Sequence, residues 1–140
     1  MVPPIAKLRI PIRHWQTMLD HVRACLPEEA CGVLGGSEGA VARAWPVENA
    51  AHSPVRFRME PRAQVESLLA IEADGLELLA IYHSHPMGPT RPSGTDQAEW
   101  AYPEALSLIW CCEGGIWGAQ AFDLSGDSPM SVDIELLPEA

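Results

Sequence analysis

The run ELLAIYHS at 77–84 is apolar from Leu78 to Tyr82, then meets His83 and, one residue further on, His85 and Pro86. The Asp74–Gly75 pair stops whatever precedes it, so the run has strand length and a fixed start. A strand that apolar is central in its sheet. The rest of the chain has to supply neighbours for it and carry the polar end somewhere useful.

Those neighbours are legible. CGVLGG at 31–36 reads as a short buried strand and VARAWPVE at 41–48 as its return, a hairpin around SEGA. Ala105–Cys112 is another apolar strand, and IWGAQAFDL at 116–124 is its partner after the EGG turn. VDIELL at 132–137 is a last strand, expected at an edge. IAKLRIPI at 5–12 is expected to open as an edge strand, because Pro11 argues against a central one. VRFRM at 55–59 alternates like a strand with one dry face.

Two stretches carry the helical period. Ile12, Trp15, Leu19, Val22 and Leu26 recur every three or four residues and stop before Pro27. Pro61 opens a second helix, with Val65, Leu68, Leu69 and Ala73 expected on its apolar face. A short helix is predicted over TDQAEWAY, with Ser93 or Thr95 near its cap. The fold class is therefore α/β, a mixed β-sheet flanked by helices. Too many neighbouring strands are joined by short turns for a doubly wound sheet.

The chain has 140 residues, of which 47% are hydrophobic, which suits one domain over residues 1–140 with one core. Its net charge of −10 leaves no basic stripe and sets aside nucleic-acid and membrane binding. The amino-terminal residues lack the pattern of a signal peptide, and no run reaches membrane-spanning length. Four cysteines without CxxC spacing point to free thiols and a cytoplasmic setting.

Residues i and i+2 of a strand share a face, so His83 and His85 can point the same way where the strand ends. Two imidazoles on one stiff edge can close on a metal at about 2.0–2.1 Å per bond. Asp96, returning from the short helix, adds a carboxylate. Such a set leaves a fourth tetrahedral position for water, as a catalytic zinc requires, and imidazole suits zinc better than magnesium. The competing reading is two histidines at a loop start with unrelated partners. Water on a metal needs a proton acceptor, ordinarily a glutamate. Glu28 and Glu29 both qualify by spacing, and both also read as a solvated loop.

Together these residues resemble the JAMM/MPN+ zinc metalloprotease family, the JAB group. Its motif is an upstream glutamate, then H-x-H-P, six residues, S, two residues and D. Here HSHP is 83–86, MGPTRP fills the six, and Ser93 and Asp96 complete the pattern. In that family the glutamate stands two residues before a Cys-Gly pair, which selects Glu29 in EACG over Glu28. NAAHSPVRFRMEP is similar to the family's Asn, Phe and Pro segment. The resemblance runs from about the first helix to at least Cys112.

The resemblance implies cytidine-deaminase-like layering and a metallopeptidase that needs Zn2+. It implies that His83, His85 and Asp96 bind zinc together with water. Glu29 would take a proton from that water and pass it to the leaving amine, and Ser93 would hydrogen-bond the oxyanion. Only six residues separate Pro86 from Ser93, too few for an insertion that grips ubiquitin, so the chain is similar to the compact prokaryotic type. That type implies a ubiquitin-like sulfur-carrier protein as partner, cut after its Gly-Gly tail, for example to release a C-terminal cysteine. VRFRM and the loop 87–92 are the edges expected to pair with the tail. Alternatives are a non-catalytic MPN-like scaffold and a DNA-repair-associated relative. A zinc deaminase would need the segment P-C-x-x-C, which is absent.

Overall fold

The computed structural model describes residues 5–139; residues 1–4 and 140, which belong to the expected domain span, lie outside the described residues. Seven strands and three helices follow in the order β1 (Lys7–Pro11), α1 (Ile12–Cys25), β2 (Cys31–Ser37), β3 (Ala40–Val47), α2 (Pro61–Ala73), β4 (Glu77–Ser84), α3 (Gly94–Ala98), β5 (Leu106–Glu113), β6 (Ile116–Asp123) and β7 (Met130–Leu137). The sheet is mixed, runs β1-β3-β2-β4-β5-β6-β7 and closes into a barrel.

Closure corrects two expectations. β1 pairs in parallel with β7 from Lys7↔Asp133 to Pro11↔Leu137, and it also meets β3 at Arg9↔Ala40. Neither β1 nor β7 is therefore an edge. Pro11 is the last residue of β1 and leads directly into α1 as its N-cap.

The β2–β3 hairpin turns at Glu38 and Gly39, both with positive φ, as a tight two-residue connection requires. Gly32 faces the ring of Tyr82, and a Cβ there would fall 2.2 Å from it. The Cys-Gly pair thus lets β2 and β4 lie against a buried aromatic.

Helix α1 packs on β1, β3 and β7, while α2 packs on β2, β3 and β4. Met18 and Val22 are the fully buried residues of α1, whereas Ile12 and Leu26 of the expected face are exposed. The face of α2 is also rotated from expectation. Ser67 and Ile71 are buried, and Val65 and Leu69 face solvent. The Ser67 hydroxyl is bonded to the Gln64 carbonyl at 2.7 Å, so a polar residue can occupy the buried side. At its start, Glu60 caps α2 by accepting the N–H groups of Arg62 and Ala63, one residue before Pro61.

VRFRM is not a strand of the sheet. Only Met59 forms an isolated bridge, to Asn49, and the segment runs along the surface beside β4. Along β4, Ala80 and Tyr82 enter one apolar cluster with Leu8, Met18 and Trp110. Ile81 enters another with Cys31, Val33, Met59 and Ile71. By parity His83 follows Ile81 onto the second face.

Candidate metal centre

The register of β2 on β4 assembles the site. Cys31 stands opposite His83. One residue back, the Ala30 and Ser84 backbones are joined, and the Ala30 N–H also donates to Ser84 Oγ at 2.9 Å. Glu29 is thereby carried alongside His85, and Ser84 faces away from the histidines as a strand bond, as expected. His85 N–H donates to the Trp110 carbonyl of β5, so the end of β4 is held on both sides.

His83 Nε2, His85 Nε2 and Asp96 Oδ2 form a triangle. His83 to His85 is 3.1 Å, His83 to Asp96 is 3.2 Å, and His85 to Asp96 is 3.0 Å. His83 is 1% and His85 6% exposed. Glu29 offers a second carboxylate: one of its oxygens lies within 4.8 Å of ring nitrogens of both histidines.

His85 Nδ1 is 2.7 Å from the Pro89 carbonyl, which holds the proton on Nδ1 and leaves Nε2 as a lone pair. That lone pair faces an ionised carboxylate oxygen and the second imidazole. At most one proton on His83 can mediate among the three atoms. A cation satisfies them all. Tetrahedral donors at about 2.0–2.1 Å from zinc would stand about 3.3 Å apart, close to the triangle seen. The residues therefore fit zinc, and the backbone carbonyl on His85 Nδ1 is the outer partner that metal-bound imidazoles ordinarily have. His83 Nδ1 is buried without a partner among the described residues. Phe57 stacks on its ring at 4.5 Å between centroids.

The two carboxyls are pushed in opposite directions. Burial would raise Asp96, but in the metal-free protein the facing His83 and His85 rings, when protonated, and the Ser93 N–H outweigh it and hold the group far below the usual carboxylate range. Glu29 is 3% exposed, and its Oε1 has no partner among the described residues. Burial pushes its carboxyl up to about 8, with His85 opposing and Asp96 adding to the shift. Burial lowers His83, while for His85 the bonds to Asp96 and Pro89 overcome burial and raise it. One carboxyl held ionised beside a protonatable one is the pattern by which a site separates a ligand from a proton carrier. Glu28 points elsewhere, to His52 Nδ1 at 3.2 Å on the surface.

Ser93 is the N-cap of α3. Its Oγ accepts the Asp96 N–H at 3.0 Å, and Asp96 Oδ2 accepts the Ser93 N–H at 2.9 Å. This capping box aims Asp96 at the histidines. The Ser93 hydroxyl hydrogen donates to nothing among the described residues, so capping does not use up the donor.

A groove leads to the triangle between the 55–59 segment and the Thr95–Tyr102 stretch. His83, Asp96, Phe57, Trp100 and Tyr102 line it, and an Arg56–Glu99 ion pair of 3.0 Å joins its walls. Trp100 and Tyr102 thus face the cleft, whereas Trp117 packs against the cluster on the far side of the sheet. On the other side of the sheet, His21 Nδ1 lies 2.6 Å from Tyr82 OH. Asn49 opens the NAAHSPVRFRMEP segment that resembles the family's, but neither the resemblance nor its letter shows that it is buried with its side-chain amide fully bonded.

Residues 11–124 match the family described as prokaryotic homologs of the JAB domain. A desampylase from Haloferax volcanii is 37% identical over 114 residues, covering 78% of this chain and 80% of the relative. A probable TtuB-protein conjugate cleaving protease from Thermus thermophilus is 41% identical over 96 residues, 64% of each chain. A CysO-cysteine peptidase from Mycobacterium tuberculosis is 38% identical over 94 residues, 66% of this chain and 64% of the relative. The chain thus aligns with a little under two thirds of the length of the latter two. Among solved structures, one from Desulfitobacterium hafniense superposes with a TM-score of 0.84 at 32% identity, covering 94% of both chains. A JAB1/MPN domain protein from Archaeoglobus fulgidus shares the fold, with a TM-score of 0.62 at 18% identity over 94% of this chain and 99% of the other.

Proposed function

This chain belongs to the prokaryotic homologs of the JAB domain, and from that premise we propose that it is a zinc-dependent metallopeptidase acting on a ubiquitin-like sulfur-carrier protein. It hydrolyses the peptide or isopeptide bond that follows the carrier's Gly-Gly tail, for example to release a C-terminal cysteine. The observation that carries the reading is the triangle of His83, His85 and Asp96 beside a buried Glu29 oxygen that has no partner among the described residues. A non-catalytic scaffold gives no reason to bury a carboxyl without a partner, at a cost of some kcal/mol. The names of the relatives support the substrate class, since they are described as acting on TtuB conjugates and CysO-cysteine.

In this reading His83, His85 and Asp96 hold the zinc. When bound, zinc supplies a Lewis acid that polarises the scissile carbonyl and makes water acidic enough to attack at neutral pH. Glu29 accepts a proton from the attacking water and returns it to the leaving amine; burial favours its protonated form in the metal-free protein, and a bound cation would favour the ionised form that can accept. Ser93 donates its free hydroxyl hydrogen to the oxyanion as charge develops there.

The tail lies along the groove. Arg56 C=O and both backbone groups of Arg58 are turned to Asn49 and Ala50. Phe57, between them, offers an N–H and a C=O with no partner among the described residues, an edge that an extended tail can pair with. Glycines suit that position because they bring backbone close to the histidines without side chains.

Incubating zinc-loaded protein with a cognate carrier that ends Gly-Gly-Cys tests the proposal by intact mass. The carrier loses one cysteine residue, and an Ala-Ala tail is spared. No cleavage of any cognate adduct, with zinc shown to be bound, would favour the scaffold.

Ser93→Ala separates chemistry from capping. Turnover falls roughly 10²–10³-fold, the effect of one oxyanion donor, with little change in the Michaelis constant. The lost cap lowers stability by about 1 kcal/mol. A lower melting point with near wild-type turnover would leave Ser93 a cap alone.

A further inference from the structure

Asn49 lies at the centre of the loop from Glu48 to Glu60 and is 5% exposed. Its Nδ2 donates to the carbonyls of Glu29 and Arg56, each at 3.0 Å. Its Oδ1 accepts the N–H groups of Ala51 and Arg58, each also at 3.0 Å. Both donors and both acceptor sites of the side-chain amide are used. The Glu29 N–H also ends in this loop, on the Ser53 carbonyl at 2.8 Å. The same loop closes on itself through Ala50 N–H to Arg58 C=O at 2.7 Å and Glu60 N–H to Glu48 C=O at 2.9 Å. Its outer limb presents Phe57 to the face of His83.

We propose that Asn49 is a positioning residue that joins the Glu29 backbone and the groove wall into one unit. The inference rests on the reading of Glu29 as the proton carrier. Glu29 sits just before β2, outside the ladder that holds Cys31 and the residues after it. The Ala30–Ser84 bonds carry it alongside His85, but its own N–H and C=O both end in the loop, and one amide shapes that loop. A proton acceptor must stand within hydrogen-bond reach of its target, and a misplacement of about 1 Å can cost 10²-fold in rate. Binding the wall that receives the tail to the backbone of the acceptor keeps both in one frame. The histidines, held by the ladder of β4 with β2 and β5, do not depend on it.

Asn49→Asp is the informative variant. It keeps the shape and the acceptor for Ala51 and Arg58, but turns a carboxylate oxygen toward the carbonyls of Glu29 and Arg56. Amide hydrogen exchange of the zinc-loaded protein reads the result without reference to activity. The Glu29 N–H, which is not bonded to Asn49, loses at least about tenfold in protection together with Ala51 and Arg58. Residues 81–83 of β4 keep theirs. Zinc affinity stays within about twofold of wild type, kcat falls about 100-fold, and the Michaelis constant rises.

If Glu29 keeps its protection while Ala51 and Arg58 lose theirs, Asn49 staples only its own loop and the proposal is wrong. Unchanged kcat in a variant with lost Glu29 protection also overturns it. Should Asn49→Asp not fold, Asn49→Ser gives up the bonds without adding charge, and the same joint loss is expected at smaller size. Should the wild type cleave no carrier, the exchange pattern still decides whether Asn49 holds Glu29, and only the proposed function falls.

Discussion

Glu29→Gln retains zinc and loses turnover by about 10²–10⁴-fold, the range a positioned general base supplies. Gln has nearly the same shape but cannot accept the proton, and in this account Glu29 is not among the three residues that hold the metal. The same variant has a second signature, in stability. In the metal-free protein burial raises the Glu29 carboxyl from 4.5 to about 8. Below about pH 4.5 both folded and unfolded chains carry the proton, and Glu29 costs nothing. Between 4.5 and about 8 the unfolded chain releases a proton that the folded chain keeps, so stability falls as pH rises through that window. Above about 8 the loss is complete, with an upper bound of roughly 5 kcal/mol. Glu29→Gln removes this dependence. Denaturant unfolding of metal-free protein at pH 5, 6.5 and 8 should show the variant gaining on wild type as pH rises. A gap that does not change with pH would mean that Glu29 is not held protonated in the fold. If Glu28→Gln abolished turnover and Glu29→Gln did not, the placement of the proton carrier in EACG would be wrong by one residue.

The parts of this molecule that the sequence discloses are those set by neighbours along the chain. ELLAIY and Ala105–Cys112 are apolar enough to be buried whatever lies beside them, and they became β4 and β5. His83, His85, Ser93 and Asp96 fall within 14 residues, so one strand end and one capped turn bring them together. Pro11 misled because the partner of its strand is β7, at the other end of the chain. The face of α2 misled because hydrophobicity marks Val65 and Leu69, while the fold buries Ser67 and satisfies it locally. VRFRM has the alternation of a strand but no ladder. A side chain, Asn49, holds its backbone where a neighbouring strand would have done so.

Glu29 is the instructive case within the site. Spacing left it level with Glu28, and a family resemblance selected it. The physical reason lies in a long-range register, Cys31 against His83, that no local pattern reports. The free energy that separates the two glutamates is also invisible in the letters. One is bonded to a surface histidine, while the other is buried with an oxygen that has no partner among the described residues.

Zinc titration of metal-free protein, followed by competition with a chelator of known affinity, tests the metal centre most directly. Wild type binds one zinc per chain, and Glu29→Gln and Ser93→Ala bind it with nearly the same affinity. His83→Ala, His85→Ala and Asp96→Ala each weaken it by more than about 100-fold, beyond the effect of losing a supporting hydrogen bond. All of these variants stay folded, because the two apolar clusters of the barrel do not include the metal, unlike a zinc finger that unfolds without it. Zinc affinity unchanged in the histidine and aspartate variants, or lost in Glu29→Gln, would contradict the account.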